Sequence, residues 1–304
     1  MTSDAPLLVV YAWPKPFTDP HIATIQRNGI RSWLLLKPKP EVILFGNDPG
    51  IAEAARELGV MHVPEGPPII EGVPRVRDLA AMTEQLSQAP YLCFINADII
   101  LTQSIMDGLT SASAASKHFL LGGSPWNTDV PELLDFRPGW EEDLRRRALA
   151  ANDLRPRQAA DFMLHPRGFM ATAPEVLAGR WYVDNGLMWF TRHSGGALID
   201  ATSGIFTVHQ SHGYGHLGQF EKSHESSGGA QWNLRAIGGR RHLFTWSNAT
   251  HHYSRSGVKP YLAGKLMFWP THPSFETQRN IVRFIARSTR WLRGWMGMRN
   301  PRET

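Results

Sequence analysis

Through its first hundred residues the chain alternates short, β-rich apolar runs with amphipathic helical segments, and this alternation limits the fold more than any other feature. Residues 7–11 read as a buried strand, followed by the breaker-containing loop Trp13-Pro14-Lys15-Pro16-Phe17 and a helix over about 20–36. A second strand spans 41–45, and the turn Gly46-Asn47-Asp48-Pro49-Gly50 leads into helical spacing over 51–58 and a short strand over 60–63. After Pro64-Glu65-Gly66-Pro67-Pro68, a helix over about 75–86 precedes a strand over 91–95 that runs into Asn96-Ala97-Asp98. The pattern predicts an α/β fold with a mostly parallel central sheet flanked by helices. Ligands of such sheets sit beyond the carboxyl ends of the strands, where Lys15, Asp48 and Asp98 fall.

With 304 residues, 42% of them apolar, the chain can bury one sizeable core. No stretch approaches the roughly 20 uninterrupted apolar residues that span a bilayer, and a cytoplasmic protein is expected. The single cysteine, Cys93, lies inside Tyr91-Leu92-Cys93-Phe94-Ile95, so a buried structural thiol is expected rather than redox chemistry. The formal charge of +5 is unevenly spread, with its excess mainly in the C-terminal tail and no recognisable nucleic-acid module beside it. Nucleic acid is therefore not an expected partner. Farther along, a strand near residue 120, a charged exposed helix over 140–153, and short strands over 197–200 and 205–209 are expected.

An acidic residue directly after a buried apolar strand, as in Phe94-Ile95-Asn96-Ala97-Asp98-Ile99-Ile100, is placed to hold a divalent cation that neutralises a diphosphate. Capping of the following turn by Asp98 fits the same pattern. A second cluster, Val208-His209-Gln210-Ser211-His212-Gly213-Tyr214-Gly215-His216, sets three histidines within eight residues. Neutral imidazoles donate a lone pair without adding charge beside phosphates. The same spacing is open to a zinc site, although the usual fourth ligand is not evident, or to a glycine-loosened loop whose histidines only hydrogen-bond; the last is preferred for His216.

Asn96-Ala97-Asp98 resembles the Asp-X-Asp motif of the GT-A glycosyltransferases, with Asn in place of the first Asp. Pro14-Lys15-Pro16-Phe17, Ile25-Gln26-Arg27-Asn28, Ser32-Trp33, Val42-Ile43-Leu44-Phe45-Gly46, Gly179-Arg180, Asp184-Asn185 and Ile199-Asp200-Ala201-Thr202 follow in an order similar to a bacterial and plant branch of glycosyltransferase-like proteins. The resemblance covers roughly the first four-fifths of the chain. It implies a GT-A, Rossmann-like domain over residues 1–275, with a donor-nucleotide half at about 1–110 and an acceptor half at about 111–253. It further implies Mn2+ or Mg2+ held by Asp98 with His209 or His212, and a nucleotide-diphosphate sugar as donor. Asn96 would stay on the donor side; from their own positions Lys15 and Arg27 could meet the donor phosphates and Asp48 the nucleobase or ribose, although a helix-surface Arg and a turn Asp are the preferred readings of Arg27 and Asp48 taken alone.

Transfer to an acceptor hydroxyl needs a base, and the resemblance points to Asp184, with Asp161 as the rival base or acceptor ligand. Trp181, Tyr182 and Trp189 offer stacking surfaces, and Asn185 lies beside them, for a carbohydrate or lipid-linked acceptor. One base and no clear nucleophile imply inversion, and the implied setting is cell-surface polysaccharide or glycolipid synthesis. Two alternatives are a nucleotidyltransferase, whose glycine-rich loop is missing after the first strand, and a catalytically silent carbohydrate-binding scaffold, which the Asn at position 96 favours.

In the tail, Arg279, Arg283, Arg287, Arg290 and Arg293 share one helical face, opposite Ile281, Phe284, Ile285, Trp291, Leu292 and Trp295. Residues 276–304 are therefore expected to form a basic amphipathic C-terminal helix, docked on the catalytic domain or lying on a membrane surface at the inner face. If it binds membrane, anionic liposomes should pellet the full chain and not a chain ending at residue 275; equal pelleting would end the membrane reading.

Overall fold

The protein is described by a computed structural model over residues 6–212 and 226–261. The segment 276–304 and His216 lie outside the described residues. The chain opens as β1 (Leu8–Ala12), α1 (Pro20–Leu34), β2 (Glu41–Phe45), α2 (Ile51–Leu58) and β3 (Met61–Val63). A two-stranded ribbon, β4 (Ile69–Ile70) and β5 (Val73–Pro74), precedes α3 (Val76–Leu86), β6 (Tyr91–Ile95), β7 (Ile99–Leu101) and α4 (Ser104–Ala115). Next come β8 (Phe119–Gly122), β9 (Trp126–Thr128), α5 (Trp140–Ala151), β10 (Phe162–Pro166) and α6 (Val183–His193). The described chain closes with β11 (Ala197–Asp200), β12 (Thr207–Gln210), α7 (Gly228–Ala236), β13 (His251–Ser254) and β14 (Gly257–Pro260).

Nine strands form one sheet in the order β14-β13-β11-β8-β10-β6-β1-β2-β3. The pairs β1–β2, β1–β6, β2–β3, β8–β11 and β11–β13 are parallel, whereas β10 is antiparallel to both its neighbours and β14 to β13. This is the expected α/β fold with a mostly parallel central sheet. The two-residue period of the strands divides the core: Val9, Tyr11, Ile43, Phe45, Leu92 and Phe94 pack against α3, α6 and α7 on one face. Leu8, Val10, Val42, Leu44, Cys93 and Ile95 pack against α1, α2 and α4 on the other. Both faces being covered explains why these strands read as continuous apolar runs. Cys93 is fully buried, and burial pushes its thiol up to about 12, as an inert packing residue requires.

β7, β12 and β9 form a second, three-stranded sheet, with β12 antiparallel to β7 and parallel to β9. Ile100 and Val208 of this sheet, with Phe206 just before β12, bury against Leu144 and Ala148 of α5. Since Val208 faces α5, its neighbour His209 faces the opposite side.

Helix α1 starts at Asp19, whose side chain accepts from the N–H groups of His21 (2.8 Å) and Ile22 (2.9 Å), with Pro20 in the first turn. It then lies directly on the β6–β7 turn. Trp33 Nε1 donates to the Ile99 carbonyl (2.9 Å), and the Leu101 N–H donates to Ser32 Oγ (3.0 Å). Gly29 permits this approach, because a Cβ there would stand 2.2 Å from the Ala97 carbonyl oxygen. Replacing a mid-helix glycine with alanine gains up to about 1 kcal/mol of helix propensity, but forcing a group into packed backbone costs about 1–3 kcal/mol. Gly29→Ala should therefore lower the urea unfolding midpoint; a higher midpoint would show that the turn yields without strain.

Candidate metal and active site

The carboxyl ends of β1, β6, β8 and β11 and the start of the antiparallel β10 lie along one edge of the sheet. Asp98 stands there in the turn between β6 and β7, while His209 arrives on β12, paired with Ile99, and His212 follows two residues after that strand. Asp98, His209 and His212 can each present one ligand atom, and the three atoms lie within 4.8 Å of one another. One carboxylate oxygen and two imidazole nitrogens suit a divalent transition metal such as Mn2+, and the set is open to further oxygen ligands. Asp98 is 6% exposed, and its Oδ1 is buried with no hydrogen-bond partner among the described residues, as a group reserved for a cation would be. The residues fit the group.

The local electrostatics agree. Burial alone would raise the Asp98 carboxyl, but the His212 hydrogen bond and the charges of His209, Lys15 and His212 outweigh it and hold Asp98 well below the usual carboxylate range. Asp98 Oδ2 lies 3.2 Å from His212 Nε2 and 3.6 Å from Lys15 Nζ. Burial is the largest influence on the His209 imidazole and lowers it, toward the neutral form that ligates a metal, against the opposing charges of Asp98 and Asp161.

Buried amides hold the pieces together. Gln210 Nε2 donates to the carbonyls of Asp98 (2.9 Å) and Ile25 (2.7 Å), while its Oε1 accepts from Asn28 Nδ2 (3.0 Å). Gln26 clamps the Lys15 backbone at two points: its Oε1 accepts from the Lys15 N–H (2.8 Å) and its Nε2 donates to the Lys15 carbonyl (3.0 Å). His21 Nε2 and the Ser211 carbonyl are 3.1 Å apart, which fixes the approach to His212.

Beside the triad stands a pair of carboxylates from different elements. Asp161, at the start of β10, accepts from Asn96 Nδ2 (3.0 Å) and pairs with Arg155 Nε (3.2 Å). Asp184, in the first turn of α6, accepts from the Ala160 N–H (3.1 Å). Burial, then the neighbouring Asp161 charge, pushes the Asp184 carboxyl up to about 8, against the opposing Ala160 N–H and Arg155. Asp161 also acts electrostatically on His209, which links the carboxylate pair to the triad.

Lys15, Asn96, Asp98, His209, His212, Asp161 and Asp184 thus form one connected group. The other residues expected at the site have separate settings. Arg27 pairs with Glu57 (2.9 Å) and lies over the Phe17 ring, and Asp48 is an exposed turn residue. Asn185 Nδ2 donates to the Phe244 carbonyl (2.7 Å), tying α6 to the segment between α7 and β13. Tyr182 is buried in the core in a left-handed conformation, with Arg240 over its ring, whereas Trp181 is 45% exposed. Trp189 stacks between His193 and His242. Reasoning from sequence missed Arg155, Asn127, Gln210 and Asn28 as site residues. Gln210 and Asn28 lay inside the quoted His cluster and the Ile25–Asn28 segment, but nothing local marked Arg155.

No protein-family model matches the chain, and no curated protein matches it. Among solved structures, it is similar to glucosyl-3-phosphoglycerate synthase from Mycobacterium tuberculosis in complex with Mn2+, uridine diphosphate and glucosyl-3-phosphoglycerate, at 16% identity over 77% of this chain and 81% of that one, TM-score 0.46. It is similar to mannosyl-3-phosphoglycerate synthase from Rubrobacter xylanophilus at 15% identity over 84% of each chain, TM-score 0.46. It is also similar to a mannosyltransferase from Pyrobaculum calidifontis in complex with GDP-Man and Mn2+, at 12% identity over 68% of this chain and 57% of that one, TM-score 0.41.

The Asp184 shift carries a stability consequence. A carboxyl that binds its proton more tightly when folded favours folding at low pH, and this contribution is lost as pH rises from its ordinary 3.8 to about 8. Asp184→Asn keeps an acceptor for the Ala160 N–H and removes the titration. The stability of the variant relative to the natural chain, from urea unfolding, should therefore increase steadily between pH 4 and pH 8; a constant difference would refute the shift.

Proposed function

We propose that the chain is a metal-dependent GT-A glycosyltransferase that moves a sugar from a nucleotide-diphosphate donor onto an acceptor hydroxyl with inversion. The observation that carries this is the convergence of Asp98, His209 and His212 at the carboxyl edge of the sheet, beside Lys15 and the Asp161–Asp184 pair. A divalent metal held by the three ligands would supply positive charge to the departing diphosphate. Lys15, half exposed beside Asp98, adds a mobile cation for the same phosphates.

The acceptor oxygen attacks the anomeric carbon as the bond from that carbon to the diphosphate oxygen breaks, and the hydroxyl proton passes to a carboxylate. Asp184 suits the proton better than Asp161. Asp161 is already engaged by Asn96 and Arg155, whereas Asp184 has an affinity for protons close to physiological pH, where a general base works best. Asn96, in place of the first acid of the motif, then serves to orient Asp161. A carbohydrate or lipid-linked acceptor, and a setting in surface polysaccharide or glycolipid synthesis, extend the same proposal.

The test is a Mn2+-dependent binding and hydrolysis screen over UDP-, GDP- and dTDP-sugars with the natural chain, Asp98→Ala and His209→Ala. Release of one nucleoside diphosphate is expected, rising with pH toward about 8 as Asp184 ionises and falling at least about a hundredfold in both variants, since each loses a ligand to the charge-neutralising metal. Binding without release would favour the silent scaffold, and no binding of any donor would reject the proposal.

A further inference from the structure

We propose that Asn127 and Asp153 are positioning residues that fix His209 in the tautomer whose Nε2 lone pair is free for a metal, an inference that rests on the metal-dependent function above. His209 on β12 and Asn127 on β9 are register partners in the small parallel pair. His209 Nδ1 lies 3.0 Å from Asn127 Oδ1, and Asn127 Nδ2 lies 2.9 Å from Asp153 Oδ2. The Asn127 backbone N–H also donates to the Asp153 carbonyl (2.8 Å), so the two residues meet at two points.

The chemistry of the far end sets the near end. A carboxylate can only accept, so the amide edge facing Asp153 is the NH2 group and the edge facing His209 is the carbonyl. That carbonyl requires a donor at Nδ1, and a neutral imidazole protonated at Nδ1 carries its lone pair on Nε2. The inverted amide would place its carbonyl oxygen against the Asp153 carboxylate and its NH2 against Nδ1, which would put the proton on Nε2 and remove a ligand. Asp153, an exposed residue just beyond α5, thus selects the protonation pattern of a buried histidine through one intervening amide. Nothing about Asp153 in the sequence points to such a role, because the connection exists only through the β9–β12 pairing.

The test reads the tautomer and metal affinity separately. Long-range 1H–15N correlation spectra of the metal-free chain should show His209 protonated at Nδ1, and Asp153→Ala should raise the Nε2-protonated fraction. Mn2+ binding, followed by the electron paramagnetic resonance of the free ion, should weaken about 10- to 100-fold in Asn127→Ala and to a lesser degree in Asp153→Ala. Asn127→Asp offers acceptors only, so adding Asp153→Ala in that background should cause no further loss; a merely structural role for Asp153 would give the same loss in both backgrounds. A His209 protonated at Nε2 in the natural chain, or an unchanged tautomer in Asp153→Ala and Asn127→Ala, would overturn the inference. Failure of every variant and the natural chain to bind Mn2+ while the tautomer responds as expected would count against the metal-dependent function and leave the Asn127–Asp153 assignment supported.

Discussion

The carboxamide of Gln210 is the interaction on which the rest of the site depends. It is fully buried and meets three elements at once: the turn that carries Asp98, the middle of α1 and the strand that carries His209. The Asp98 carbonyl accepts from both the Gln210 side chain (2.9 Å) and its backbone N–H (3.3 Å), so residues 112 positions apart are joined through one peptide group. Each buried polar group left unpaired costs about 1–3 kcal/mol. An apolar residue at 210 would remove three bonds between separate elements at once, although the Asp98 carbonyl would keep the backbone N–H of residue 210 and the Asn28 amide would keep the Glu132 carbonyl. Gly29 completes it by letting α1 approach closely enough for these bonds to form.

Around that node, two acids are driven in opposite directions. Asp98 is surrounded by His212, His209 and Lys15 and stays ionised, while Asp184 is desolvated next to Asp161 and holds its proton. Environments that separate the proton affinities of neighbouring carboxylates divide their roles, one as a permanent charge and one as a proton carrier. Arg155 keeps the arrangement from collapsing into a single acidic cluster, because it engages Asp161 and limits the repulsion felt by Asp184. The same environment leaves Asn96 a clear function. Its NH2 donates to Asp161, which an aspartate at that position could not do.

Much of the first half of the fold was legible because each local signal agreed with the next. The strands at 41–45 and 91–95 and the helix at 51–58 occur at the expected residues, since apolar β-branched runs bounded by Gly and Pro leave few alternatives. β10 was not legible: Phe162-Met163-Leu164-His165-Pro166 is short and ends in proline, and its place between β6 and β8 is set by long-range antiparallel pairing. α4 and α6 were also missed, the first rich in Ser and Ala and the second opening among Trp, Tyr and Gly residues that suggest a loop. At the site, Asp98, His209 and His212 were identifiable because their chemistry is distinctive and each lies on or within three residues of a strand. The amides and Arg155 that hold them were not, since Asn, Gln and Arg occur throughout surfaces and only the tertiary fold turns them inward.

Lys15 shows how such a site can be rigid in its backbone and yet adjustable in charge. Gln26 clamps the Lys15 peptide groups on both sides, so the position of the residue is fixed. Its ammonium, by contrast, sits on a half-exposed side chain, 3.6 Å from Asp98 Oδ2 and 3.2 Å from His212 Nε2, in the space where a divalent cation would compete for the same atoms. A partly solvated ion pair of this kind contributes about 0–1 kcal/mol, whereas a doubly charged ion with three protein ligands gains several times as much. On the proposed function, the lysine would yield the carboxylate to the metal while Gln26 keeps its backbone anchored. Asp98 would then have a positive partner with the metal as it has one with Lys15 and His212.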